Sequence, residues 1–164
     1  MTSFNDFKEK RAQVKLAIEK HDEQLRSVFR EFMSQYIASF DFPGESFVDG
    51  KGNQRKYVSI LSKGIFSDAD SLNVHPHDGI TVSVNTVLDD SSKNDIRVES
   101  FTINIRLVNG LITFVVTGMG FFDEKIFSSV SGKDKYLDVI DYIKSVFLDN
   151  ILKDCPGSNH SPAE

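Results

Sequence analysis

The sequence predicts an α+β fold: a long N-terminal helix, an antiparallel sheet of about four to six strands and a C-terminal helix, with both helices on one sheet face. Three observations carry this reading. No Gly or Pro interrupts the first forty residues, where apolar side chains recur three and four apart. The middle of the chain alternates apolar and polar residues around Asn109-Gly110. Helical spacing then returns after Lys133. Strands gathered between two helices, without a strand–helix–strand rhythm, exclude a doubly wound parallel sheet.

Ser3 is placed to cap the first helix, Asp6 in the first turn complements its dipole, and Pro43 is the first breaker. Leu25, Val28, Phe29, Phe32, Met33, Tyr36, Ile37 and Phe40 make a broad face suited to burial. Upstream the stripe narrows to Phe4, Phe7, Val14 and Ile18, and Arg11, His21 and Gln35 interrupt its heptad seam. Docking along the rest of its own domain is the expectation for this narrow half; a homodimer through Phe4, Phe7, Val14 and Ile18 is the alternative. His21 reads as a seam histidine rather than a ligand.

Past Pro43-Gly44 the period becomes two. Phe47 and Val48 lead through the Gly-rich turn Asp49 to Asn53 into a hairpin with Tyr57 to Leu61. In ITVSVNTVL, Ile80, Val82, Val84 and Leu88 face the core while Thr81, Ser83 and Asn85 face away. Asn109-Gly110 is the dipeptide of a two-residue primed turn, so the flanking runs form a hairpin. Phe101, Ile103, Ile105 and Leu107 take one face of its first strand; Ser100, Thr102, Asn104 and Arg106 line the other, open face. FFDEKIFSSV supplies an edge strand or an arm. The last helix runs from about Lys133 to Lys153, with Tyr136, Ile140, Ile143, Phe147 and Ile151 as its stripe and Pro156-Gly157 as its stop. Residues 1–155 read as one domain and 156–164 as a disordered tail.

Composition excludes several classes. The chain has 164 residues and one cysteine, Cys155, so it forms no internal disulfide and suits a reducing compartment. Charged residues stand where a signal peptide carries its apolar segment, and no long apolar run occurs, which reads as a cytoplasmic protein with no membrane partner. The net charge is −5, and between Ser67 and Asp95 the residues Asp68, Asp70, Asp78, Asp89, Asp90 and Asp95 face only Lys93. Such a field disfavours direct nucleic-acid binding and speeds encounter with a basic protein partner. A solvated acidic surface that only keeps the protein soluble is the plainer alternative.

No catalytic motif is present. His75 and His77, spaced i and i+2 with Asp78 adjacent, allow a metal site in principle, yet a zinc site needs three or four ligands from separate elements. A turn fixed by Pro76 and Asp78-Gly79 is the simpler reading. DADSLN lacks the glycine and the distal glutamate of a calcium loop. Gly118-Met119-Gly120 lacks the third glycine of a phosphate loop and suits a bend, and Asp123 and Glu124, as strand neighbours, point to opposite faces. No cofactor is implied. The reading is a non-enzymatic, acidic protein-binding domain: an immunity-type inhibitor or chaperone of a basic protein, with the loop aspartates and Thr102, Asn104 and Arg106 as binding residues. The alternatives are a metal-dependent enzyme or ligand-binding domain on the His75/His77 loop, and a structural oligomer built on the first helix.

Overall fold

The computed structural model describes residues 1–118 and 124–157. Met119 and Gly120 of the glycine pair, Phe121 to Asp123 at the start of FFDEKIFSSV, and the tail beyond Gly157 lie outside the described residues. Helix α1 spans Phe4–Ala38. It opens on a capping box, in which Ser3 Oγ accepts from the Asp6 amide at 3.3 Å and Asp6 Oδ2 accepts from the Ser3 amide at 2.6 Å. Eight strands follow among the described residues: β1 Ser46–Val48, β2 Gln54–Lys56, β3 Val58–Ser62, β4 Ile65–Phe66, β5 Ile80–Asp89, β6 Arg97–Val108, β7 Leu111–Thr117 and β8 Lys125–Phe127. A 3-10 turn at Ala69–Ser71 precedes β5, and α2 spans Leu137–Lys153.

The main sheet is antiparallel and six-stranded, in the order β4-β3-β5-β6-β7-β8. At the β6–β7 turn Asn109 and Gly110 have φ of 51° and 76°, the pair of positive values that a primed turn demands. Alternation sets the faces. Ile80, Val82 and Val84 of β5 pair in register with Ile105, Ile103 and Phe101 of β6, and Phe114 and Val116 of β7 continue the row. Those side chains share one core with Leu25, Phe29, Phe32, Met33 and Tyr36 of α1 and with Val139, Ile140, Ile143 and Phe147 of α2, so both helices cover the same sheet face. Phe32 is the centre, with ring centroids 5.2 Å from Phe114, 5.8 Å from Tyr136 and 5.9 Å from Tyr36. Burial of each such ring contributes on the order of 1.5–3 kcal/mol.

The two fully buried tyrosine hydroxyls of the core are paired. Tyr36 OH and Thr86 Oγ1 lie 2.7 Å apart in a buried hydrogen bond, and burial pushes the Tyr36 phenol well above its ordinary pKa. Tyr136 OH donates to Glu31 Oε2 at 3.0 Å and Lys135 lies 2.9 Å from the same oxygen, which fastens the start of α2 to α1. The far end of α2 is held through Arg97, which bonds both Glu99 of β6 and Asp154.

Four expectations need correction. Phe47 and Val48 pair with Arg55 and Gln54, not with Tyr57 to Leu61. The Asp49 carboxylate accepts from the Lys51 and Asn53 amides, each at 2.9 Å, and closes the turn early, leaving Tyr57 to carry the chain into the main sheet through Val87 N–H. Ile37 is 43 % and Ile151 41 % exposed, each one step off its helix's buried face. The helices are also shorter than expected, with α1 ending at Ala38 and α2 beginning at Leu137. Finally, the narrow half of α1 does not dock on its own domain: every residue from Met1 to Lys20 is exposed.

Candidate functional site

The end of the sheet where β5 turns into β6 gathers the densest chemistry. A bulge between Val87 and Asp89 ends the regular pairing. Asp89 then accepts from the Ser91 amide at 2.9 Å and from its hydroxyl at 2.5 Å, which holds the Asp89 carboxyl below its ordinary pKa. The loop beyond is tied to the β1–β2 turn by Gly50 N–H on the Lys93 carbonyl at 2.9 Å. Tyr57 OH donates to Asp90 Oδ2 at 2.6 Å, and this bond to a carboxylate raises the phenol's pKa.

Aromatic rings are stacked beside these carboxylates. Phe42 lies parallel to Phe40 at 5.2 Å and to Tyr57 at 4.8 Å, with interplanar angles of 7° and 15°. They wall a cleft of about 190 Å³ whose lining also includes Asp41, Asp89 and Asp90 and, among the described residues, no cation. Asp41 holds a left-handed backbone, φ 51°, at this cleft. The Lys144 ammonium lies 4.6 Å from the Phe40 ring centre, so one wall already engages a cation. A wider groove of about 1030 Å³ on the neighbouring side shares Phe42 and Tyr57, but its lining carries both signs, Glu45 and Asp68 against Arg55 and Lys56. The cleft is the acidic one.

The six loop aspartates do not form one patch. Asp89, Asp90 and Asp95 sit together at the β5–β6 end, whereas Asp78 precedes β5 and is roughly 35 Å away along that strand. Asp68 and Asp70 lie at the 3-10 turn, where Asp70 is bonded by Arg30 at 2.6 Å. Arg30 also donates to Glu23 at 2.5 Å, so that charge is partly neutralised within the chain.

The sheet face away from the helices carries Thr102, Asn104 and Arg106 as expected, but all three are half-buried, and Thr102 and Asn104 are engaged. Thr102 shares a 3.2 Å contact with Ser83, and Asn104 Nδ2 donates to the Asp78 carbonyl at 2.6 Å and to Thr81 Oγ1 at 2.9 Å. Arg106 Nε is buried and makes no hydrogen bond among the described residues. Its neighbours toward β7, Thr113 and Val115, are buried too, so this face is less open than the alternation implies.

The His75–Gly79 segment is a closed turn. His75 and Gly79 exchange both backbone hydrogen bonds, at 2.9 and 3.0 Å, and His75 Nδ1 accepts from the Asp78 amide at 3.2 Å. Gly79 is required there: its φ is 71°, and a Cβ would fall 2.0 Å from the Ile105 carbonyl oxygen. His75 and His77 have ring centroids 6.1 Å apart. Among the described residues no group of three or more His, Cys, Asp or Glu side chains stands close enough together to hold a metal ion.

Along the projecting part of α1, Phe4, Phe7, Val14 and Ile18 are 73, 64, 57 and 42 % exposed, with Leu16 exposed as well. Among the described residues no helix is long and apolar enough to cross a membrane. Phe40, Asp41, Phe42 and Tyr57 of the cleft were not anticipated; the signal available was Phe40-Asp41-Phe42-Pro43, two rings and a carboxylate immediately before a breaker. No protein-family model matches the chain, and no curated protein and no solved structure matches it significantly.

Proposed function

We propose that this chain is a non-enzymatic protein-binding domain whose acidic aromatic cleft receives a lysine or arginine side chain of a basic partner. The observation that carries the reading is the cleft between Phe40, Phe42 and Tyr57, lined by Asp41, Asp89 and Asp90. The carboxylates pair with a cation while the edges of the stacked rings pack along its alkyl stem, and together they favour a long basic side chain over a neutral one. Asp95, on the same loop, adds to the field that such a partner meets on approach. An inhibitor or chaperone of a basic protein uses this arrangement well, because a field of one sign speeds capture.

The test begins with affinity capture from the native cell, eluted along a salt gradient. For the captured protein, reversing Asp89, Asp90 and Asp95 to Lys slows association and flattens its salt dependence, while Asp41→Asn with Asp90→Asn speeds dissociation on the order of tenfold or more. Association rate and salt dependence unchanged in the triple variant would contradict the reading.

A further inference from the structure

Two helix faces with complementary chemistry are left exposed, and they match in length. The first is the projecting arm of α1. Residues 1–20 hold five Lys/Arg against three Asp/Glu, net +2, which leaves fourteen against twenty-one, net −7, for the rest of the chain. Arg11 interrupts the arm's stripe, and Lys8 and Lys15, seven residues apart, run along one edge of it. The second is the outer side of α2. Leu137, Leu148 and Leu152 are 52, 61 and 62 % exposed there, with Asp141 inside the stripe and Asp138 and Asp149 along one edge. Phe4 to Ile18 and Leu137 to Leu152 each span about 21–23 Å of helix.

We infer that the α1 arm of one copy packs antiparallel on the outer face of α2 of a second copy. In that orientation Phe4 meets Leu152, Phe7 meets Leu148 and Ile18 meets Leu137. Helical geometry then brings the two charged edges to the same side: Lys8 comes beside Asp149 and Lys15 lies between Asp138 and Asp141, while Arg11 falls within a turn of Asp141 and opposite Lys144, whose ammonium is drawn away to the Ser39 carbonyl and the Phe40 ring of its own body. A parallel arrangement puts the charged edges on opposite sides. The arm cannot reach its own α2, because α1 is one continuous helix whose first twenty residues are exposed.

The same charges argue against two arms pairing with each other. Antiparallel arms over Phe4 to His21 set Lys8 opposite Lys15, and parallel arms set Arg11 against Arg11 and Lys10 against Lys15, all repulsive. Each copy offers both an arm and an α2 face, so a two-fold pair makes the contact twice, in the direction of the ~1,200–2,000 Å² typical of stable interfaces. The inference is independent of the cleft at Asp89 and Asp90.

Sedimentation equilibrium on the full chain tests it with an arm variant, Lys8→Glu with Lys15→Glu, and an α2 variant, Asp141→Lys with Asp149→Lys. All four positions are exposed, and far-UV circular dichroism verifies the fold; Leu148→Ser serves as a second, uncharged α2 variant. The unmodified chain self-associates, and each variant alone raises the dissociation constant by about tenfold or more. An equimolar mixture of the two charge variants associates more tightly than either alone, because the mixed pair has one unmodified contact and one in which the reversed arm faces a reversed α2. A chain monomeric at about millimolar concentration would overturn the inference. So would α2 variants that associate like the unmodified chain, or a mixture no tighter than its components. Tighter association of the arm variant alone would show arm–arm pairing instead.

Discussion

The two halves of α1 are parts of one uninterrupted helix and use the same three-and-four spacing, yet they meet opposite environments. From Leu25 to Tyr36 the stripe is broad, aromatic and fully buried; from Phe4 to Ile18 it is narrow, interrupted by Arg11 and exposed. Spacing alone makes a helix in both. What differs is width, since a stripe about one residue wide cannot fill the space above a sheet, whereas Phe29, Phe32, Met33 and Tyr36 reach both the sheet and α2. The arm stays helical because it continues an anchored helix, starts on a capping box and is rich in strong helix formers.

Substitutions in the body and in the arm sharpen the contrast, those in the body taken from the largest effect to the smallest. Phe32→Ala removes the ring at the centre of the core and is expected to cost ~3–5 kcal/mol in chemical denaturation, whereas Phe7→Ala, measured where the chain is monomeric, shifts stability by less than ~0.5 kcal/mol. Tyr36→Phe leaves the Thr86 hydroxyl buried without its partner and costs ~1–3 kcal/mol; adding Thr86→Val to that variant recovers part of the loss.

Acid separates the halves further. In the body, the Asn53 amide first, with Arg55 and the Lys51 amide, holds the Asp49 carboxyl below its ordinary 3.8. A depressed folded pKa stabilises above the unfolded value and loses that contribution as pH falls through the folded one, so urea midpoints drop below about pH 4. Asp49→Asn lowers the midpoint at pH 7 and flattens this acid limb. In the arm, the Ser3 amide lowers the Asp6 carboxyl in the same sense. Ser3→Ala therefore frays only the first turn, seen as faster amide exchange near Phe7, with global unfolding unchanged.

The sheet and its helices were legible because alternation, an Asn-Gly turn and two apolar helical stripes all pointed to the same packing. The His75–Gly79 turn was legible for a similar reason, since Pro76 and Gly79 restrict the backbone locally. The surface was less so. Periodicity says which side of the Phe4–Ile18 segment is apolar but not what lies against it, and that depends on where a rigid helix leaves the body. Local charge counting likewise puts the aspartates from Asp68 to Asp95 in one group. The length of ITVSVNTVL already implied that Asp78 and Asp89 stand at opposite ends of a strand. The cleft required Phe40 and Phe42, before a breaker, to meet Tyr57 from the entrance to β3, a tertiary contact that no local pattern announces.

The most direct measurement is residue-resolved hydrogen exchange along α1 at two protein concentrations, one in the micromolar and one in the millimolar range. Residues 25–38 should exchange only through global unfolding, with the same protection at both concentrations. Residues 4–20 should exchange quickly in the dilute sample and become protected in the concentrated one, as a second copy covers them. Equal protection of both halves in the dilute sample would mean that the arm docks on its own domain, contradicting the account.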